Sequence, residues 1–149
     1  MSLPKQSEAS ELVDFIENEE SFKLTYETLI AWKKMKDAAY NDGITIVLVS
    51  AFRSIERQRE LVEEKRKKNI SDKEIFNVLA HPGYSEHHTG RALDIHTPDS
   101  ALLEEDFEHT DAFRWMKKNA KKYGFFMSYP RDNKYGMIYE PWHWCLNID

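Results

Sequence analysis

The run Ile44-Thr45-Ile46-Val47-Leu48-Val49 restricts the possible folds more than any other stretch of the chain. Its β-branched residues favour an extended backbone, and its lack of polar alternation fits a strand covered on both faces. It is far shorter than the roughly 18 apolar residues needed to cross a bilayer, and no other stretch approaches that length. The rest of the protein must therefore cover it, which makes it the best candidate for a central strand.

Helices are the expected cover. Leu29, Trp32, Met35 and Ala39 recur at helical spacing ahead of the turn residues Asn41-Asp42-Gly43. Leu12, Phe15 and Ile16 behind Ser7 and Ser10 suggest a shorter amphipathic helix, so the amino-terminal part, 1–43, is expected to be helical. After the strand, Ser54 can cap a helix reaching about Lys68, with Ile55, Leu61 and Val62 in its apolar stripe. Gln58 shares the inward face, where an unpartnered amide would cost on the order of 1–3 kcal/mol. The basic run Lys65-Arg66-Lys67-Lys68 follows Glu63 and Glu64 and reads as a solvated helix end. Ser71-Asp72-Lys73-Glu74 has capping-box spacing before a further short helix.

Arg91 to His96 alternates, which places Ala92, Asp94 and His96 on one face and Leu93 and Ile95 on the other, as in a strand with one buried side. Thr110 can cap a helix through Phe113, Met116, Ala120 and Tyr123 that stops at Gly124. Phe125 to Tyr129 resumes strand character, and a turn at Pro130 to Lys134 suggests a hairpin returning through Met137-Ile138-Tyr139. The expected architecture is α+β: helices packed on a small, mostly antiparallel sheet. The 149 residues, 41% of them hydrophobic, suffice for one core and a single domain over 1–149.

Charge and cysteine content narrow the function classes. Against 26 acidic residues stand 21 basic ones, a net charge of −5, which removes the basic footprint of a nucleic-acid binder. The single cysteine, Cys145, offers no disulfide or CxxC partner and reads as a small apolar residue. Met1-Ser2-Leu3-Pro4-Lys5 lacks the basic segment and apolar stretch of a signal peptide.

Chemistry concentrates in Ser85-Glu86-His87-His88-Thr89-Gly90-Arg91-Ala92-Leu93-Asp94 and, far downstream, Glu140-Pro141-Trp142-His143. Together these supply a metal site. Catalytic zinc takes three protein ligands and leaves a position for water, and imidazole nitrogen and carboxylate oxygen suit it. His87, Asp94 and His143 are the expected three, with Gly90 allowing the His87 loop to fold back over the Asp94 strand. Glu140 can then act as general base and acid beside the metal. In a straight strand Glu140 and His143 would face opposite ways, but Pro141 should break the pleat between them. His81, His88, His96 and His109 are read as non-ligands. Trp142, Trp144 and Tyr139 are read as packing, and Tyr129 as a pocket wall.

These blocks resemble the VanY group of zinc D-alanyl-D-alanine carboxypeptidases, within the LAS (M15) peptidase family. The family pattern Ser-x-His-x-x-Gly-x-Ala-x-Asp is met by Ser85, His87, Gly90, Ala92 and Asp94, and Glu-x-x-His by Glu140 and His143. Upstream, Ser50-Ala51-Phe52-Arg53-Ser54 with Gln58 is similar to the family's Ser-Gly-Tyr-Arg-Ser segment and its following Gln. The blocks lie in family order between about 50 and 144. The resemblance implies a hedgehog/DD-peptidase-like fold, zinc on His87, Asp94 and His143, and Glu140 as catalytic base. It further implies that Arg53 stabilises the developing oxyanion and that Ser85 and Gln58 bind substrate. Each of these last three also has a plain structural reading, as a surface ion pair or a partner of backbone groups. Ala51, Arg91 and the ending Trp144-Cys145-Leu146 depart from the usual pattern and bear on pocket shape.

The implied reaction is removal of the terminal D-alanine from peptidoglycan stem peptides or muropeptides, at the cell envelope, by a monomer without a membrane span. Rival readings are an L,D-carboxypeptidase, a peptidoglycan endopeptidase or lysin, and a non-catalytic, zinc-stabilised cell-wall binding module.

Overall fold

A computed structural model describes residues 2–98 and 104–147. The chain opens with a two-stranded antiparallel hairpin, β1 (Val13–Glu17) and β2 (Glu20–Leu24), followed by α1 (Tyr26–Asn41). Then come β3 (Val47–Ser50), α2 (Ile55–Lys67), α3 (Asp72–Val78), β4 (Ala92–His96), α4 (Asp111–Asn119), β5 (Phe125–Met127) and β6 (His143–Leu146). Short 3-10 turns occupy Glu86–Thr89, Glu105–His109 and Ala120–Tyr123. Strands β3-β4-β6-β5 form a sheet in that order, with every neighbouring pair antiparallel. This is the α+β arrangement read from the sequence. No helix among the described residues is long and apolar enough to cross a membrane.

Several helix starts follow the caps seen in the sequence. Ser54, Ser71 and Thr110 each accept a backbone N–H from three residues ahead, satisfying a donor that the first helical turn leaves unpaired. The core joins Leu29, Trp32 and Met35 of α1 to Leu93 and Ile95 of β4, Phe113 and Met116 of α4, and Phe125 of β5.

The amino-terminal part corrects the sequence reading. Residues 13–24 form a hairpin, not a helix, and its tight turn is made by Asn18 and Glu19, both at positive φ (51° and 67°). Val13 and Phe15 pack inward on alternate positions while Ile16 is 72% exposed, so the period of two prevails over the helical spacing of Leu12, Phe15 and Ile16. The run expected to be the central strand is instead an edge: among the described residues β3 pairs only with β4. Its outer side is closed by the buried Glu17, whose carboxylate accepts from Leu48 N (2.8 Å), Trp32 Nε1 (3.1 Å) and Lys36 Nζ (2.7 Å). The central strands are β4 and β6, and β4 is buried on both faces from Ala92 to Ile95, not on one. No strand forms at 137–139. β5 pairs directly with β6, and Asn133 holds the intervening loop by accepting from Tyr135 N and Met137 N.

Candidate active site

The sheet register sets the first part of the site. Asp94 of β4 lies directly opposite His143 of β6, so both project from one face of neighbouring central strands. His87 arrives from the 3-10 turn Glu86–Thr89, which Ser85 caps by accepting from His87 N (3.1 Å) and Gly90 ends in the left-handed region (φ 73°). A Cβ on Gly90 would stand 2.8 Å from Leu12 Cδ2 and 3.3 Å from Thr25 N, so the hairpin can lie this close to the His87 loop only over a glycine. The hairpin end is tied to the loop directly by Thr25 N donating to Gly90 O (3.0 Å), and through the segment after β3 by Phe52 N donating to Lys23 O (2.8 Å) and Arg53 N to His87 O (3.0 Å). The misread amino-terminal segment is thus what supports the His87 loop.

His87, Asp94 and His143 each offer a ligand atom, and the three atoms lie within 4.8 Å of one another, all buried. The hydrogen bonds orient the rings for a cation. His87 Nδ1 is 2.7 Å from the Ala51 carbonyl, to which it donates, so Nε2 presents its lone pair 3.2 Å from Asp94 Oδ2. His143 Nε2 is 2.8 Å from Glu86 Oε1, to which it donates, so in the neutral ring Nδ1 presents its lone pair 3.2 Å from Asp94 Oδ1. With both rings neutral, two imidazole lone pairs and one carboxylate facing each other repel unless a proton or a metal ion lies between them. The outer carbonyl and carboxylate are the partners that fix a metal-binding tautomer. The donor set fits zinc.

Charge at the site follows from burial and these contacts. Against the opposing effect of burial, His87 and His143 hold the Asp94 carboxyl well below the usual carboxylate range. Burial also opposes a charged His143, yet its hydrogen bonds to Asp94 and Glu86 push it up to about 10, so without a metal ion a proton on Nδ1 stands between the ring and Asp94, where the metal would replace it. Glu140 shows the reverse balance: burial pushes its carboxyl up to about 7, partly offset by His143 and Arg53.

Glu140 does not lie on the strand. It precedes a turn in which His143 N donates to Glu140 O (3.2 Å), while its own N–H donates to Tyr129 O (3.0 Å). Both side chains therefore reach one cleft of about 370 Å³, together with Arg53, Gln58, Ser85, His87 and Asp94. Every residue singled out from the sequence for this chemistry is brought together there. Arg53 Nη1 donates to Gln58 Oε1 (2.9 Å), and Gln58 Nε2 donates to Ala80 O (2.8 Å), so this fully buried amide aims the guanidinium. His88 is spent on structure, with Nδ1 donating to Arg53 O (2.7 Å) and Nε2 accepting from Gly83 N (3.1 Å). His96 turns to the carbonyl of Thr97, His81 stacks on Phe76 and His109 lies beside Glu108.

Two contributors went unread in the sequence. Glu86 occupies an unspecified position of the Ser-x-His pattern, so only its contacts with His143 and the Ser128 hydroxyl reveal it. Lys65 lines the cleft although the charge run around it reads as a solvated helix end.

Residues 21–147 match the family model for VanY, D-alanyl-D-alanine carboxypeptidase. The chain belongs to the VanY family. It is 35% identical over 153 residues to YodJ of Bacillus subtilis, covering 95% of this chain and 55% of that protein. It spans about half the length of the curated relatives it matches. Among solved structures, the LdcB LD-carboxypeptidase superposes with a TM-score of 0.84 at 33% identity, over 97% of this chain and 72% of that one. A VanY D,D-pentapeptidase from a VanB-type vancomycin resistance cassette, in complex with Zn(II), gives 0.75 at 25% identity, over 98% and 86%. These VanY-type neighbours share the fold of helices on a small antiparallel sheet.

Proposed function

We propose that this chain is a zinc-dependent carboxypeptidase that removes the terminal D-alanine from peptidoglycan stem peptides, acting on the cell wall at the envelope. The observation that carries the reading is the convergence of His87 Nε2, His143 Nδ1 and the Asp94 carboxylate in the cleft that Glu140 and Arg53 also line. Membership of the VanY family supports it, as does the Zn(II) in a neighbour of the same fold.

Zinc held by His87, Asp94 and His143 would polarise the scissile carbonyl and make water nucleophilic near neutral pH. Glu140, with a carboxyl near 7, accepts the proton of the attacking water and returns it to the departing amine. Arg53, aimed by Gln58, donates to the oxygen on which negative charge develops. The Ser85 hydroxyl accepts from His87 N and keeps its own proton to donate to the substrate.

The likeness to the LdcB LD-carboxypeptidase favours a second reading, in which the bond cut joins an L-centre to the terminal D-alanine. Mass spectrometry of defined muropeptides incubated with the zinc-loaded protein separates the two. Loss of alanine from pentapeptides supports the D,D reading and loss from tetrapeptides the L,D reading. Internal cleavage, or no cleavage, would overturn both.

A further inference from the structure

Helix α2 carries four carboxylates, and each is matched by an arginine of the same helix. Arg57 pairs with Glu60 and Glu64, Arg59 with Glu56, and Arg66 with Glu63 and with Asp72 beyond the helix end. Lys65 is left over. No carboxylate among the described residues lies in ion-pair contact with its ammonium, and the residue is half-buried, not free in solvent.

Gln58, Val62 and Lys65 are spaced by four and three positions, so they lie along one face of the helix. Gln58 holds Arg53 at the catalytic end of the cleft, and Lys65 lines the same cleft seven positions later, about 10 Å further along the helix axis. The cleft also has apolar lining from Val78, Leu79, Met137 and Ile138, the last donating its N–H to Asn77 O beside Val78. A lysine stem can lie on such a wall while its head stays polar. The cleft thus has two cationic ends. The Arg53 end faces Asp94 and Glu140, and among the described residues no other acidic side chain lines the cleft.

We propose that Lys65 forms a second polar subsite of this cleft, which binds a pendant carboxylate of the peptide substrate. An extended peptide advances about 3.3 Å per residue, so the distance from Gln58 to Lys65 corresponds to a carboxylate about three residues from the bond that is cut. The free carboxylate of the residue being released lies closer to the bond and falls at the Arg53 end. The assignment rests on the peptidase reading above, because it takes the cleft to be the substrate channel.

The test measures affinity, so that it does not depend on turnover. Peptides ending in D-alanyl-D-alanine are titrated calorimetrically into zinc-loaded Glu140→Gln protein, with and without Lys65→Met or Lys65→Arg. One peptide carries an acidic side chain three residues from the cut bond, a second its neutral amide, and a third a carboxy-terminal amide. The acidic peptide should bind about ten-fold more tightly than its amide, as a partly desolvated charge pair would give. That preference should vanish in Lys65→Met and survive in Lys65→Arg. A preference that persists in Lys65→Met overturns the proposal. So does a Lys65→Met change confined to the contrast with the carboxy-terminal amide, which would place the terminal carboxylate at Lys65. Cleavage of the acidic peptide by the unsubstituted enzyme is read separately: its absence would remove the peptidase reading, while the affinity ratio would still decide the role of Lys65.

Discussion

Glu140 and Glu86 are both carboxylates beside His143, and their surroundings give them different work. Glu140 is 9% exposed and donates its backbone N–H to Tyr129 O, with burial holding its carboxyl near 7. Glu86 is engaged by His143 and Ser128, which hold it below its ordinary value although burial opposes them. Glu140→Gln should therefore lower kcat about 10²–10⁴-fold while zinc content stays at one per chain, as measured by kinetics and metal analysis together. Glu86→Ala should act on the metal instead, weakening zinc about 10–100-fold in a chelator competition, because His143 loses the acceptor that fixes its tautomer. The raised Glu140 value also has a stability consequence in metal-free protein. Its contribution is full below the unfolded value of 4.5 and is lost as pH rises through about 7, a difference of about 3 kcal/mol at about 1.4 kcal/mol per pH unit. Urea unfolding should show metal-free Glu140→Gln gaining on the unsubstituted protein by up to that amount between pH 4.5 and 8. Parallel pH profiles would contradict the buried carboxyl.

At the scale of elements, the hairpin β1-β2 does more than its size suggests. Glu17 ties it to α1 through Trp32 and Lys36 and to β3 through Leu48, while Gly90 lets it touch the loop that carries His87. Glu17→Ala would strand the buried Trp32 Nε1 and Leu48 N donors, and at about 1–3 kcal/mol for each buried group left unpaired it should cost roughly 2–6 kcal/mol in urea unfolding. Little of this was legible in the sequence. Leu12, Phe15 and Ile16 satisfy a helical period, and only the positive φ of Asn18 and Glu19, a tertiary outcome, decides for the turn. The helices were legible because Ser54, Ser71 and Thr110 cap them locally, with acceptor and donor three residues apart. The edge position of β3 was not, since its cover comes from a glutamate 31 residues upstream.

Taken as a whole molecule, the fold uses its two central strands to bring Asp94 and His143 together across 49 residues of sequence, and packs a hairpin and a helix so that His87 and Arg53 meet them. The site residues could be read because their types and spacing carry the chemistry. The partners that aim them, Ala51 O, Glu86 and Ala80 O, could not, because a backbone carbonyl or an unspecified motif position leaves no mark in sequence. If His87, Asp94 and His143 form the metal site of this cleft, the three side chains together hold one ion. Anomalous scattering at the zinc edge from crystals of the zinc-loaded protein tests it most directly. A single strong peak should lie against those three side chains and be absent from His143→Ala crystals. A peak elsewhere, or none where the three converge, would contradict it.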